Sequence, residues 1–84
     1  MPAISMFYGI VIYMYYRDHM PPHFHARYQG QEAVFSFEGD LMEGEFPARQ
    51  KKLIAAWAVL NSEDLEANWE LARNKQELFK IRPL

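Results

Sequence analysis

The fold is decided by residues 23–37, HFHARYQGQEAVFSF, in which polar and apolar side chains alternate on either side of a Gln-Gly pair. Three side chains in each half share one face: Phe24, Ala26 and Tyr28, and then Ala33, Phe35 and Phe37. A period of two is typical of half-buried β-strands, and a glycine-containing pair between two such runs is typical of a turn. The stretch therefore predicts two neighbouring strands, each with an apolar face directed at a core.

Upstream of this stretch, residues 4–16 consist mainly of Ile, Val, Phe, Tyr and Met, which are side chains that favour a β-sheet. Both faces of the segment are apolar. A single strand here would therefore be a central strand with other elements packed on both of its faces, or would lie partly in an interface. Gly9 marks a bulge, a bend or a short turn that divides the segment into a hairpin. Residues 17–22 form a loop, because Pro21 and Pro22 cannot both lie in a regular strand.

Downstream, Gly39-Asp40 predicts a two-residue hairpin turn with glycine first, followed by a short strand at 41–46. The sheet is thus an antiparallel meander of three or four strands. Residues 78–81 could add a last edge strand, which Pro83 would end.

From Pro47 onward, the spacing of apolar residues changes from that of a strand to that of a helix. Pro47 suits the first helical position, and an apolar stripe follows at helical spacing, consisting of Leu53, Ile54, Trp57 and Leu60. Asn61 or Ser62 can cap a second helix, whose inward residues should be Leu65, Trp69 and Ala72. The predicted fold class is α+β, a single domain over residues 1–84 with two C-terminal helices packed on one face of the sheet.

Composition excludes several function classes. The 84 residues include no cysteine, which excludes a disulfide scaffold, a thiolate zinc site and a cysteine nucleophile. The formal net charge of -2 does not support strong non-specific binding to nucleic acid. The N-terminal apolar run has no basic residues before it and is too short to span a bilayer, so a cytoplasmic location without membrane contact is expected. The sequence contains no dinucleotide fingerprint or phosphate loop, so no cofactor is expected.

Histidine is the one concentrated chemical signal, because His19, His23 and His25 lie within seven residues. On a strand, His23 and His25 project from the same face about 7 Å apart. They could ligate one metal ion, with His19 or Asp18 arriving from the loop. Alternatively, His23 or His25 acts as a general acid or base while Arg27 stabilises a phosphate-like charge. A third interpretation makes them polar residues on the open face of a half-buried sheet.

Three segments together resemble a family of short bacterial proteins. They are ISMFYGI at 4–10, DHMPPHFHARY at 18–28 and NWELA at 68–72, of which the PPHFHA run is the most specific. The family is the domain-of-unknown-function family numbered 4160. The resemblance implies a small partner protein encoded nearby, since members are typically encoded beside another small protein, of the family numbered 2442. That layout is similar to a toxin–antitoxin module.

Three functions are compatible with these observations. The preferred one is a protein-binding component of a toxin–antitoxin-like two-gene module, favoured by the aromatic excess and by the resemblance; a homodimer would also cover exposed apolar surface. The second is a small ribonuclease-type toxin in which His23 or His25 is catalytic and Arg27 holds phosphate, which leaves open whether the chain is an enzyme. The third is metal binding by His19, His23 and His25.

Overall fold

The computed structural model describes residues 2–84, which form five strands followed by two helices. The strands are β1 (Ala3–Phe7), β2 (Ile10–Tyr13), β3 (His23–Tyr28), β4 (Gln31–Ser36) and β5 (Leu41–Gly44), and the helices are α1 (Ala48–Leu60) and α2 (Ser62–Arg73). The sheet order is β1-β2-β3-β4-β5, and every neighbouring pair is antiparallel. The predicted α+β meander with C-terminal helices is confirmed, with five strands in place of three or four.

The additional strand comes from the turn at Tyr8-Gly9. Both residues have positive φ, 49° and 79°, as the tight hairpin turn that follows the twist of the strands requires. Of the three interpretations of Gly9, the dividing turn is therefore correct. The segment that is apolar on both faces is two strands. β2 buries the alternate residues Ile10 and Ile12, whereas β1 buries Ile4, Ser5 and Phe7 because its pairing with β2 is irregular between Ala3 and Ser5.

The predicted hairpin at the centre of the sheet is formed by β3 and β4. Phe24 lies opposite Phe35 and Ala26 lies opposite Ala33, with all four side chains buried. Gln29-Gly30 makes the turn with φ values of 48° and 81°. The hairpin therefore presents its apolar face to the helices, as its period of two predicts.

The turn after β4 is longer than the predicted Gly39-Asp40 pair. The backbone N–H of Ser36 donates to the carbonyl of Asp40 at 2.9 Å, and the N–H of Gly39 donates to the carbonyl of Ser36 at 2.9 Å. Gly39 is the left-handed residue that closes this turn, with φ +89°, rather than its first residue. A Cβ at Gly39 would lie 2.7 Å from the Cα of Ala55, so α1 can approach the sheet here only over a glycine.

The two tryptophans anchor the helices to the sheet, as predicted. The Trp57 ring is fully buried, 5.4 Å from the Phe7 ring and 5.5 Å from the Phe24 ring between centroids. Trp69 is 4% exposed and meets Phe37 edge-on at 6.0 Å. The prediction for Leu60 is wrong: it is 74% exposed, because α1 ends there, beyond the part of the helix that covers the sheet.

Residues 78–81 do not form the additional edge strand. Within the described residues, their only backbone hydrogen bond to β1 runs from the N–H of Ile81 to the carbonyl of Ile4, at 2.7 Å. A buried side chain of α2 takes the place of a neighbouring strand, because the amide of Asn68 donates to the carbonyl of Phe79 at 2.9 Å and accepts from its N–H at 3.1 Å. The indole N–H of Trp57 donates to the carbonyl of Arg82 at 2.8 Å. Helix side chains therefore satisfy the C-terminal backbone that a strand ladder would have satisfied.

We predict that Asn68→Ala lowers the free energy of unfolding by about 2 kcal/mol, because two backbone groups of Phe79 lose their partner in a buried setting. Asn74→Ala is the matched control, since the Asn74 side chain donates one exposed hydrogen bond to the carbonyl of Glu70, and its effect should stay within about 0.5 kcal/mol. Urea unfolding of both variants checks this. Equal destabilisation by the two substitutions would contradict the role given to Asn68.

Candidate functional site

The loop after β2 brings a carboxylate to the histidine-bearing strand. The backbone N–H of Arg17 donates to the carbonyl of Ala72 at 3.2 Å, which ties the start of the loop to the last turn of α2. Asp18 follows, and its Oδ1 accepts the backbone N–H of His19 at 2.9 Å. With Oδ1 held in this way, Oδ2 is the oxygen that faces β3.

Asp18, His23 and His25 form one cluster. The Oδ2 atom of Asp18 lies 2.7 Å from Nε2 of His23 and 3.1 Å from Nε2 of His25. One oxygen or nitrogen atom from each of the three side chains lies within 4.8 Å of the other two. The side chains of Asp18, His23 and His25 are 12%, 2% and 23% exposed. The cluster is therefore shielded but opens to solvent on the His25 side.

Neighbouring groups hold both rings of this Asp18–His23–His25 cluster in place. Nδ1 of His23 lies 2.7 Å from the carbonyl oxygen of Pro21, and the ring centroid lies 5.4 Å from that of Trp69. The His25 ring stacks on Tyr15 at 4.1 Å. The cluster therefore comes from β3 and the loop that precedes it, and Trp69 of α2, which is distant in the sequence, packs against it.

The structure brings His23 and His25 together, places His19 at the exposed edge of the cluster with its ring 5.0 Å from that of His23, and directs Arg27 elsewhere. The side chain of His19 is 78% exposed, and its Nδ1 lies 3.0 Å from Oδ1 of Asp18 rather than from the shared oxygen. Arg27 donates to Glu32 at 2.8 Å and lies over the ring of Tyr13 at 5.4 Å. Asp18, one of the two loop residues that the sequence offered as a third ligand, is the one that contacts both strand histidines.

The surroundings of Asp18 favour its carboxylate form. Burial by itself raises the pKa of this side chain. Hydrogen bonds from His25, from the backbone of His19 and from His23 outweigh that effect, so the pKa lies below its ordinary value of 3.8. The cluster therefore contains a carboxylate at neutral pH.

A cleft adjoins the cluster, and sequence reasoning did not find it. We call it the Trp69 cleft; its volume is about 520 Å³. Its walls come from the Met20–Pro22 loop, the end of β4 with the turn that follows it, β5 and α2, and consist of Met20, Pro21, Pro22, Ser36, Phe37, Glu38, Met42, Glu66, Trp69, Glu70 and Arg73. No local pattern signals such a cleft, because its residues are scattered over four segments of the chain. Pro21 and Trp69 contact His23 as well, so the cleft and the cluster share a wall.

Comparison with family models gives one match, over residues 9–70, to the domain of unknown function DUF4160. The chain belongs to this family. The match spans the turn after β1, the histidine-bearing strand, α1 and most of α2, so the DUF4160 region includes the cluster and every residue that lines the Trp69 cleft except Arg73. Comparisons with curated proteins and with solved structures give no match. Over residues 2–84, neither helix has the length and apolar character needed to cross a membrane.

We predict that Asp18→Ala destabilises the metal-free protein at neutral pH by about 1–3 kcal/mol, because His23 and His25 lose their shared acceptor. Since the folded-state pKa of Asp18 is lowered, this contribution is fully present above the ordinary carboxyl pKa of 3.8 and is lost as the pH falls through the lower folded value. Urea unfolding in chelator, at pH values above and below that range, checks both statements. Asp40→Ala changes an exposed carboxylate and serves as the control.

Proposed function

We propose that the protein is the protein-binding component of a two-gene module of toxin–antitoxin type, and that it holds its partner in the Trp69 cleft. The observation that carries this proposal is the cleft itself, which is open, partly apolar and bordered by acidic side chains. The occupant is a segment of the partner protein that combines an apolar side chain with neighbouring Lys or Arg residues.

The apolar part of the cleft suits an inserted side chain. Trp69 and Phe37 form buried walls, while Met20 and Met42 at the edge are 62% and 41% exposed. Methionine adapts its shape to what packs on it and is common on binding surfaces, and tryptophan is among the residues that contribute most at interfaces. The volume of the cleft lies within the range of specific binding sites.

The charges around the cleft support a basic partner segment. Glu38, Glu66 and Glu70 line it, and the one cation among the lining residues, Arg73, already lies 3.3 Å from Glu70. A partner carrying Lys or Arg would meet complementary charge, which increases the rate of association and the specificity.

The partner that we propose is the product of the neighbouring gene. Membership of DUF4160 carries with it the expectation, drawn from the resemblance, of an adjacent gene for a small protein of the family numbered 2442. A dedicated partner explains why a chain of 84 residues leaves a cleft of this size next to its core.

We predict that the two gene products form a stable complex, and that Met42→Lys weakens it about tenfold or more by removing an apolar contact and repelling a basic segment. Met6→Lys is the matched control, because Met6 is also an exposed strand methionine, at 64%, but lies on β1 away from the cleft. Calorimetric titration of one product with the other measures both affinities, and light scattering gives the stoichiometry.

Two results would count against the proposal in different ways. If the two purified products run as separate species at micromolar concentration, the protein-binding function is wrong. If they associate but Met6→Lys weakens the complex more than Met42→Lys does, the function stands and the interface lies on the open face of the sheet instead of the cleft.

A further inference from the structure

His23 has a hydrogen-bonding conflict that points to a bound cation. Its Nδ1 lies 2.7 Å from the carbonyl oxygen of Pro21, and a carbonyl can only accept, so Nδ1 carries the hydrogen. In a neutral imidazole the other nitrogen, Nε2, then presents a lone pair. That lone pair lies 2.7 Å from Oδ2 of Asp18, an oxygen that also presents lone pairs. The close approach of two acceptors is stable only with a positive charge between them, either a proton or a metal ion.

We propose that Asp18, His23 and His25 bind one divalent transition-metal ion of the zinc class, through Oδ2 and the two Nε2 atoms. A third group converges on the same oxygen, as a metal site with three protein ligands requires. A proton shared by His23 and Asp18 requires nothing of His25, yet Nε2 of His25 is placed 3.1 Å from the same oxygen. Two imidazoles and one carboxylate are a common ligand set for such ions.

The groups around the cluster orient it as the neighbours of a metal site do. A ligating histidine usually donates its other ring N–H to a carbonyl or a carboxylate, as His23 does to Pro21. Asp18 uses its second oxygen to accept the backbone N–H of His19, which leaves Oδ2 for the ion. His25 is held by its stacking on Tyr15. Each of the three ligands therefore has its own support, and little side-chain freedom is lost on binding.

The dimensions also fit. At zinc distances of about 2.0–2.1 Å, tetrahedral ligand atoms lie about 3.3 Å apart. The separations of 2.7 Å and 3.1 Å from Oδ2 to the two nitrogens therefore need to open by about 0.6 Å and about 0.2 Å to admit the ion. Three protein ligands leave a coordination position for water or for an outside ligand, on the side where His25 is 23% exposed. The nitrogen ligands favour zinc, cobalt or nickel over magnesium and calcium.

The experiment uses the full chain without an affinity tag, freed of metal with a chelator that is then removed, and titrated with Zn²⁺, Co²⁺ and Mg²⁺. We expect one Zn²⁺ per chain, similar binding of Co²⁺ with the visible spectrum of nitrogen ligation, and no saturable binding of Mg²⁺. The affinity for Zn²⁺ should fall about tenfold or more in His25→Ala and in Asp18→Asn. His19→Ala is the matched control and should change it by less than about threefold, because the ring nitrogen of His19 reaches Oδ1 and not Oδ2, although its ring lies 5.0 Å from that of His23.

Asp18→Asn keeps the test independent of folding. An amide at this position can donate N–H groups to the lone pairs of His23 and His25, so the variant should stay folded while losing the metal. Nitrogen-15 spectra of the imidazoles identify the cation directly, since a metal-bound Nε2 differs from a protonated one. Absence of saturable Zn²⁺ binding would overturn the proposal, and a doubly protonated His23 ring would then identify the cation as a proton. A loss in His19→Ala equal to that in His25→Ala would overturn the ligand assignment. Neither result depends on the partner proposed for the Trp69 cleft.

Discussion

The packing of Phe24 against Trp57 is the contact on which the rest of the structure depends. The two rings meet nearly at right angles, 80° between planes, and both side chains are completely buried. Because side chains alternate along a strand, turning Phe24 toward α1 directs His23 and His25 to the opposite side of β3, where Asp18 reaches them. A slip of one residue in the pairing of β3 would exchange the two sets of side chains and separate the histidines from Asp18. The hydrophobic energy of the core therefore specifies where the polar chemistry of this protein can occur.

The loop from Arg17 to Pro22 supplies the groups that contact the histidines of β3. It places the Asp18 carboxylate beside both histidines. Three residues later, the carbonyl of Pro21 accepts the hydrogen of the His23 ring. The same loop forms one wall of the Trp69 cleft. A segment seated in the cleft would thus touch Met20 and Pro21, and any movement of Pro21 would reach His23 through a hydrogen bond of 2.7 Å. The geometry places the two proposed sites close enough to influence one another.

The C-terminal segment shows how so small a domain completes its core without another strand. Ile81 is 2% exposed and belongs to the apolar core, yet the backbone around it is held chiefly by the side chains of Asn68 and Trp57. Burying a carboxamide is favourable only when both its oxygen and its nitrogen find partners, and Phe79 supplies both. The helices of this protein therefore act as packing elements and also as hydrogen-bonding partners for an irregular segment.

The local patterns of the sequence were sufficient to predict most of the fold. Period-two alternation at 23–37, helical spacing after Pro47 and the lack of cysteine determined the class, the order of elements, the central hairpin and the inward direction of both tryptophans, because these features depend on neighbours in the chain. They also put His23 and His25 on one face. The tertiary structure decided what local patterns cannot contain: the choice of Asp18 over His19, the pairing of Arg27 with Glu32, the side-chain hold of Asn68 on the C-terminal segment, and the Trp69 cleft. The register of the β3–β4 hairpin places Arg27 opposite Glu32. The other contacts depend on how the loop, the helices and the C-terminal segment pack on the sheet. The alternatives differ in free energy by only a few kcal/mol, and those differences arise only in the folded chain.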